Sequence, residues 1–386
     1  MDEAAERYFA LDFDFYGQRF EPGGVAQALQ AMLHREQDAP AQLVRAISAA
    51  PQGGTRDRLA RLAYDGFRHR LDFDGLAQAQ RSVGEEVDPA VAFLGEAEPA
   101  LVMTGNMVEV EYDDRRIPAT IGGQPIDIII DTGAPGVGVS RAIVEREGFR
   151  LLDGAGGNAV IPSLGLDYPL EPVILDEVTI GDAVFTSIPA KSGDLTVEQQ
   201  AVLEQNGFAS DMIVGLDFFA RFFDVVELDQ IEGKLRLYRN DPMRPSRSNF
   251  VMGASRYPLL RIGIGGTDRT VIVDTGSGNN NLPPEWISAV GCKAYREFQR
   301  SWGSFGEYLL PLDFPAAGGP SNFWISARDF GADEIFNARG VLGSVNGGRL
   351  RIDLEDANIS WLDYDPALAN YDFAATRLIE GECPGQ

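Results

Sequence analysis

A mainly β chain, built as two similar halves behind a helical N-terminal region, is the architecture the sequence predicts, and three observations lead there. Up to about residue 103 the apolar residues recur at helical spacing. From residue 107 they fall in short β-rich runs bounded by Gly, Pro, Asn and Asp. Those runs then repeat in the same order along the chain.

The helical region comes first. Val25, Ala26, Leu29, Met32 and Leu33 keep helical spacing, as do Leu43, Val44 and Ile47, then Leu59, Leu62, Ala63 and Phe67, with Pro40, Pro51 and Gly53-Gly54 as punctuation. Asp12-Phe13-Asp14 and Asp72-Phe73-Asp74 lack the glycine and distal glutamate of a calcium loop, so they read as helix-end or surface carboxylates. Strands are expected at Val108 to Tyr112, Ile126 to Ile130, Pro172 to Leu175, Glu177 to Ile180, Phe222 to Leu228 and Lys234 to Tyr238.

The repeat has three matched elements. IGGQPIDIIIDTG from Ile121 is echoed by IGIGGTDRTVIVDTG from Ile262, DMIVGLDFF from Asp211 by RGVLGSV from Arg339, and VVELDQIEGKLRLY from Val225 by LRIDLEDANISWLDY from Leu350. The offset is 143 residues from Asp131 to Asp274 and 128 from Gly215 to Gly343, so the copies differ by loop insertions. Pro242, Pro245 and the arginines and serines around them mark the join. The expected domains are therefore 1–103 (helical), 104–245 (first β lobe), 246–365 (second β lobe) and 366–386 (tail).

Composition removes several function classes. The 33 Lys+Arg against 58 Asp+Glu leave a net charge of −25, and only Lys191, Lys234 and Lys293 are lysines, so a nucleic acid or an anionic membrane surface finds no basic face. No apolar run approaches the roughly 18 residues of a membrane span, since Glu96 and Glu98 break the most apolar stretch. Cys292 and Cys383 are too few for a four-ligand zinc site, and the two histidines, His34 and His69, are remote from them in sequence. The cysteines read equally as a disulfide or as two thiols. The N-terminus is acidic and has no basic region followed by an apolar one, so no secretory signal is expected in this chain, and the compartment stays open between cytoplasmic and, after loss of a signal, periplasmic or secreted.

The chemistry is carried by the two Asp-Thr-Gly loops. At roughly 6% usage per residue type, one given tripeptide is expected about a tenth of a time in this length, yet it occurs twice, at duplicated positions. Each copy follows an apolar strand, Ile128-Ile129-Ile130 or Val271-Ile272-Val273, and is followed later by two apolar residues and glycine, Ile213-Val214-Gly215 or Val341-Leu342-Gly343.

With DTGAPGVGVS from Asp131, DTGSGNNNLP from Asp274 and these two segments, residues 107 to 365 resemble the aspartic proteases of the pepsin and retropepsin superfamily, the first loop more the bacterial retropepsin-like proteins. The resemblance implies a bilobal pepsin-like acid protease fold with Asp131 and Asp274 as a catalytic dyad in the cleft. It implies that Thr132 and Thr275 bond across to the opposite loop, that Gly133 and Gly276 allow close approach, and that Gly215 and Gly343 back the loops. Ser277 matches a position where the family often uses a hydroxyl to bond an outer carboxylate oxygen; Ala134 cannot. Flap hairpins are expected near Ile161 to Glu171, with Tyr168, and near Gly303 to Leu312, with Tyr308.

Two carboxylates about 3 Å apart cannot both ionise, so one keeps a proton; the aspartic proteases are the standard instance. One member then serves as base for water and the other as acid, with no metal or other cofactor and no covalent intermediate. The expected activity is peptide hydrolysis by an aspartic endopeptidase acting on a polypeptide substrate, with both loops in one chain, so that no dimer is required. The rival is a catalytically silent module of the same fold that binds or inhibits peptides. No G-x-S-x-G serine motif occurs, and GIGG at Gly263 does not complete a dinucleotide fingerprint. Residues 1 to 103 carry 10 Arg and 17 Asp+Glu, which argues for a docking or regulatory role over a basic pro-segment.

Overall fold

The computed structural model describes residues 39–48, 54–68, 70–113, 115–161, 164–205, 207–240, 250–251, 258–277, 280–300, 303–312, 322–329, 338–343, 348–354, 358–364, 377–381 and 383. Its helices at the N-terminal side are Ala39–Ser48, Gly54–Arg68, Phe73–Ser82 and Pro89–Leu94. The spacing from Val25 to Leu33 and the Asp12-Phe13-Asp14 repeat lie outside the described residues. Asp72 caps the third helix by accepting from the Gly75 N–H at 2.8 Å, and Asp88 caps the fourth through Ala90, with Pro89 in the first turn where its missing N–H costs nothing. Asp72 is thus the helix-end carboxylate that the sequence suggests.

Leu43, Ala63, Phe67, Leu76 and Val91 are buried among these helices. The helical region also touches the β part of the chain. Leu71 joins the main apolar core, the strand Ala100–Val102 pairs with Ala183–Gly193, and Arg150 lies 4.6 Å over the Phe93 ring.

From residue 100 onward the structure is mainly β, in three sheets. The first has the order Ala100–Val102, Ala183–Gly193, Val137–Ser140, Met212–Val214, Gln124–Ile130, Arg116–Ile121, Leu166–Ile180 and Asn158–Ile161. Another runs Phe250–Val251, Leu259–Ile264, Thr267–Val273, Gly340–Leu342, Asn281–Leu282, Asn322–Ala327, Gly303–Pro311, Ala294–Arg300 and Arg377–Gly381. Their centres are wired alike. Gln124–Ile130 lies parallel to Met212–Val214 as Thr267–Val273 does to Gly340–Leu342, and in each case the strand after the Asp loop runs antiparallel to that partner.

A five-stranded sheet joins the halves, in the order Met107–Glu111, Lys234–Tyr238, Val225–Asp229, Gly348–Asp353 and Asn358–Tyr364. Its central contact pairs Val226 with Ile352 and Leu228 with Leu350, all buried, so this seam is sealed by backbone hydrogen bonds and apolar packing together.

Two expected elements differ. The stretch expected as a strand from Phe222 to Leu228 begins instead as the end of a helix, Leu216–Phe222, and the strand is Val225–Asp229. Phe218 and Phe222 lie on one helix face, where both rings meet Phe185, at 4.8 and 5.2 Å between centroids, and this aromatic cluster outweighs the β preference of the phenylalanines. The two short strands from Pro172 and Glu177 are one strand, Leu166–Ile180, paired from Leu170 to Ile180 with Ala183–Gly193. Cys292 and Cys383 form a disulfide, which ties Cys383, just past the edge strand Arg377–Gly381, to the residue two positions before its neighbour Ala294–Arg300.

Candidate active site

Each Asp-Thr-Gly loop leaves the sheet at the end of a buried strand. Asp131 N–H donates to the Val214 carbonyl at 3.0 Å and Asp274 N–H to that of Leu342 at 3.0 Å, so each loop stays tied to the strand lying parallel to its own. The loops meet through their threonines. Thr132 N–H donates to Thr275 Oγ1 and Thr275 N–H to Thr132 Oγ1, both at 3.0 Å. Thr132 Oγ1 then donates to the Val273 carbonyl at 2.8 Å and Thr275 Oγ1 to that of Ile130 at 2.9 Å. Each hydroxyl both accepts and donates across the junction, and both residues are almost fully buried, so the four bonds form a reciprocal clasp.

The clasp leaves no room for side chains at the next position. A Cβ at Gly133 would lie 2.4 Å from the carboxyl carbon of Asp274, and one at Gly276 would lie 2.3 Å from that of Asp131. Beneath the loops, a Cβ at Gly215 would lie 2.1 Å from the Ala134 carbonyl oxygen and one at Gly343 would lie 2.2 Å from that of Ser277. Both contacts are with backbone, which cannot swing aside.

Each carboxyl lies against the glycine of the opposite loop, which brings Asp131 and Asp274 to the same junction. Asp131 Oδ1 also accepts from the N–H groups of Gly133 and Ala134 at 2.9 and 3.1 Å, and Asp274 Oδ1 from that of Ser277 at 3.1 Å. Burial, then the neighbouring Asp131 charge and the bond to it, push the Asp274 carboxyl well above the ordinary range, against the backbone N–H groups of Ser277 and Gly276, which pull it down. Ser277 therefore reaches Asp274 through its backbone N–H.

Tyr168 and Tyr308 lie in hairpins, apart from these loops in the chain. Tyr168 is on Leu166–Ile180, paired with Ala159 of Asn158–Ile161, and its ring covers Gly193; burial raises its phenol. Tyr308 is on Gly303–Pro311, cross-strand from Tyr295 with ring centroids 5.2 Å apart. No cluster of His, Cys, Asp and Glu suited to a metal ion occurs among the described residues, and no described helix is long and apolar enough to cross a membrane.

Three supporting residues lie beyond what sequence reasoning finds. Asp217 Oδ2 accepts from Gly136 N–H at 2.8 Å while the Gly136 carbonyl accepts from Gly215, which braces the first loop from behind. Asn280 does the corresponding work in the second half, its Oδ1 accepting from Gly343 N–H at 3.0 Å and its Nδ2 donating to the Trp324 carbonyl at 3.1 Å. Arg115 donates from Nη1 to the Gly276 carbonyl at 2.8 Å. Asp217 carries a readable signal, a charge inside the apolar run Leu216 to Phe219; Arg115 and Asn280 carry none.

Two aspartates are thus presented at the ends of buried strands by interlocked Asp-Thr-Gly loops. Residues 117–218 match the family model described as aspartyl protease. The matched segment contains Asp131 and Gly215 and ends before Asp274. Among solved structures, the chain is similar to a retropepsin-like aspartic protease from Rickettsia conorii, at 17% identity and a TM-score of 0.26, over 35% of this chain and 100% of that one. No curated protein matches the sequence.

Proposed function

We propose that the chain is an aspartic endopeptidase made by tandem duplication, in which Asp131 and Asp274 act as one dyad in a cleft between two β lobes. The single observation that carries this reading is the reciprocal Thr132–Thr275 clasp, beside which each loop's carboxyl lies against the glycine of the other loop. A binding groove gains nothing from two mutually repelling carboxyls in a part-buried site, whereas acid–base hydrolysis requires them.

In this mechanism the ionised member of the pair takes a proton from water as the oxygen attacks the scissile carbonyl, and the protonated member donates to the carbonyl oxygen. The tetrahedral intermediate collapses with cleavage of the C–N bond, the leaving amine receives a proton, and one proton is again shared by the pair. The hairpin that carries Tyr168 is proposed as the flap of the first lobe, and that of Tyr308 as its counterpart in the second.

The test is incubation with a denatured-protein or peptide library from acidic to neutral pH, with and without a peptidomimetic aspartic-protease inhibitor, and identification of new termini by mass spectrometry. Inhibitor-sensitive internal cleavage that Asp131→Asn and Asp274→Asn each abolish is the expected result. A folded protein that binds peptides but cleaves none at any pH would overturn the reading in favour of a silent binding module.

A further inference from the structure

The two halves of the site are not equivalent, and the difference lies in Arg115. Arg115 and Pro258 occupy the same place in the two copies. The Arg115 carbonyl accepts from Ile130 N–H at 2.7 Å, and the Pro258 carbonyl from Val273 N–H at 2.9 Å, each just before the loop aspartate. Proline has neither an N–H nor a side-chain donor, so the second copy cannot reproduce what Arg115 does.

Arg115 adopts the left-handed backbone region, φ 70°, and its part-buried guanidinium lies 5.5 Å from the centroid of the Phe208 ring. From there it reaches 161 positions along the chain to the Gly276 carbonyl. That carbonyl belongs to the same peptide group as the Ser277 N–H, which donates to Asp274 Oδ1 at 3.1 Å. The order is therefore cation, peptide oxygen, peptide N–H, carboxylate, in one line through a planar group.

A peptide group pinned at its oxygen by a cation is held in orientation and polarised, and its N–H becomes a stronger donor. Other charged groups near this path are engaged elsewhere. Arg116 pairs with Asp127 and donates to the carbonyls of Gly207 and Ala209, Arg339 beside the strand Gly340–Leu342 pairs with Glu285 and Asp329, and Asp217 accepts from Gly136 behind the first loop. Asp131 is the acidic group that faces Asp274 directly.

We infer that Arg115 is a positioning residue which, through the Gly276–Ser277 peptide, favours the ionised form of Asp274 and so sets the pH range over which the Asp131/Asp274 pair shares a single proton. Its influence passes through that peptide and not through a bond to either carboxyl. The inference rests on the proposed protease reading only for its kinetic consequence; the titration of the pair is a property of the folded protein whether or not it cleaves peptides.

The experiment titrates the wild-type protein and Arg115→Lys, Arg115→Gln and Arg115→Met with carbon-13 labelled aspartate side chains. The Asp131→Asn and Asp274→Asn proteins assign the signals, and kcat/KM is followed against pH in parallel. Losing the cation weakens the donor to the Asp274 carboxylate, so Arg115→Met raises the upper apparent pKa of the pair by about one unit, with the basic limb of activity following by the same amount. Arg115→Gln, which keeps a donor and loses the charge, moves it by about half as much, and Arg115→Lys stays within about 0.3 unit of wild type.

A folded Arg115→Met protein whose pair titrates like wild type overturns the inference, and so does a fall in kcat at every pH with unmoved limbs, which is what a purely structural role produces. If Arg115→Met does not fold, the comparison of Arg115→Gln with Arg115→Lys decides in the same way. Shifted carboxyl signals in proteins that cleave nothing would uphold the Arg115 relay while the protease reading fails; cleavage with unshifted signals would do the reverse.

Discussion

Replacing Thr275 by valine removes one hydroxyl and almost no volume, and it strikes the clasp at its centre. Thr275 Oγ1 accepts from Thr132 N–H at 3.0 Å and donates to the Ile130 carbonyl at 2.9 Å, in a residue only 1% exposed. Valine leaves that N–H and that carbonyl without partners in a place water does not reach. At about 1 to 3 kcal/mol for each buried group left unsatisfied, the loss is about 2 to 6 kcal/mol. Thr275→Ser keeps both bonds and gives up one methyl, which costs about 1 kcal/mol. Urea unfolding of the three proteins measures the difference, and kcat/KM on a peptide substrate measures the second consequence. Once the loops are free to shift by even 1 Å, turnover falls on the order of a hundredfold. If Thr275→Val unfolds within about 0.5 kcal/mol of wild type and cleaves peptides normally, the clasp is not what aligns the carboxyls, and the reasoning from it fails.

The folded Asp274 carboxyl is raised, so the native protein holds its proton over a pH range in which the unfolded chain has released its own, and stability falls as pH rises through that range. Asp274→Asn should flatten this fall in a pH series of urea midpoints and abolish hydrolysis, with the Asp131→Asn/Asp274→Asn double variant no less active than either single one; a steeper fall would contradict the burial of the pair. Reducing the Cys292–Cys383 bond, which spans 91 residues, should cost on the order of 4 to 5 kcal/mol by loop-closure entropy, read as a lower urea midpoint in reductant than in its absence. Glu307 is fully buried, accepts at 2.7 Å from both Nε and Nη2 of Arg296, and the guanidinium lies 4.1 Å from the Trp324 ring centroid. Glu307→Leu should therefore destabilise by about 3 to 5 kcal/mol by removing the buried carboxylate that the arginine pairs with, and adding Arg296→Met should recover most of it; equal losses in the single and double variants would show that the pairing of the charge was not what the carboxylate supplied.

Much of the site is legible in the sequence because its chemistry is local. A strand that runs into Asp-Thr-Gly needs only consecutive residues, so Asp131, Thr132, Gly133, Asp274, Thr275 and Gly276 stand out, and the repeat links Gly215 and Gly343 to them. The end of the helix Leu216–Phe222 reads as strand in the sequence because phenylalanines favour strands by themselves and a helix only once Phe185 offers its ring. Cys292 and Cys383 leave two readings open, since pairing is a matter of distance between strands that only the folded sheet sets. Arg115 is invisible for a similar reason: one arginine among many in an acidic chain has no pattern, and its partner lies in the other half.

By itself the sequence determined the paired Asp-Thr-Gly motifs, the β character of the chain from residue 107, and the doubled order of its segments, because each of these is written in neighbouring residues or in the recurrence of a motif. Only the tertiary structure decided that the two loops meet, that their threonines clasp reciprocally and that the halves differ at Arg115 and Pro258. Those facts depend on hydrogen bonds of about 3 Å between groups some 140 to 160 residues apart, and such distances are set by the packing of two sheets across a shared seam rather than by any local preference of the chain.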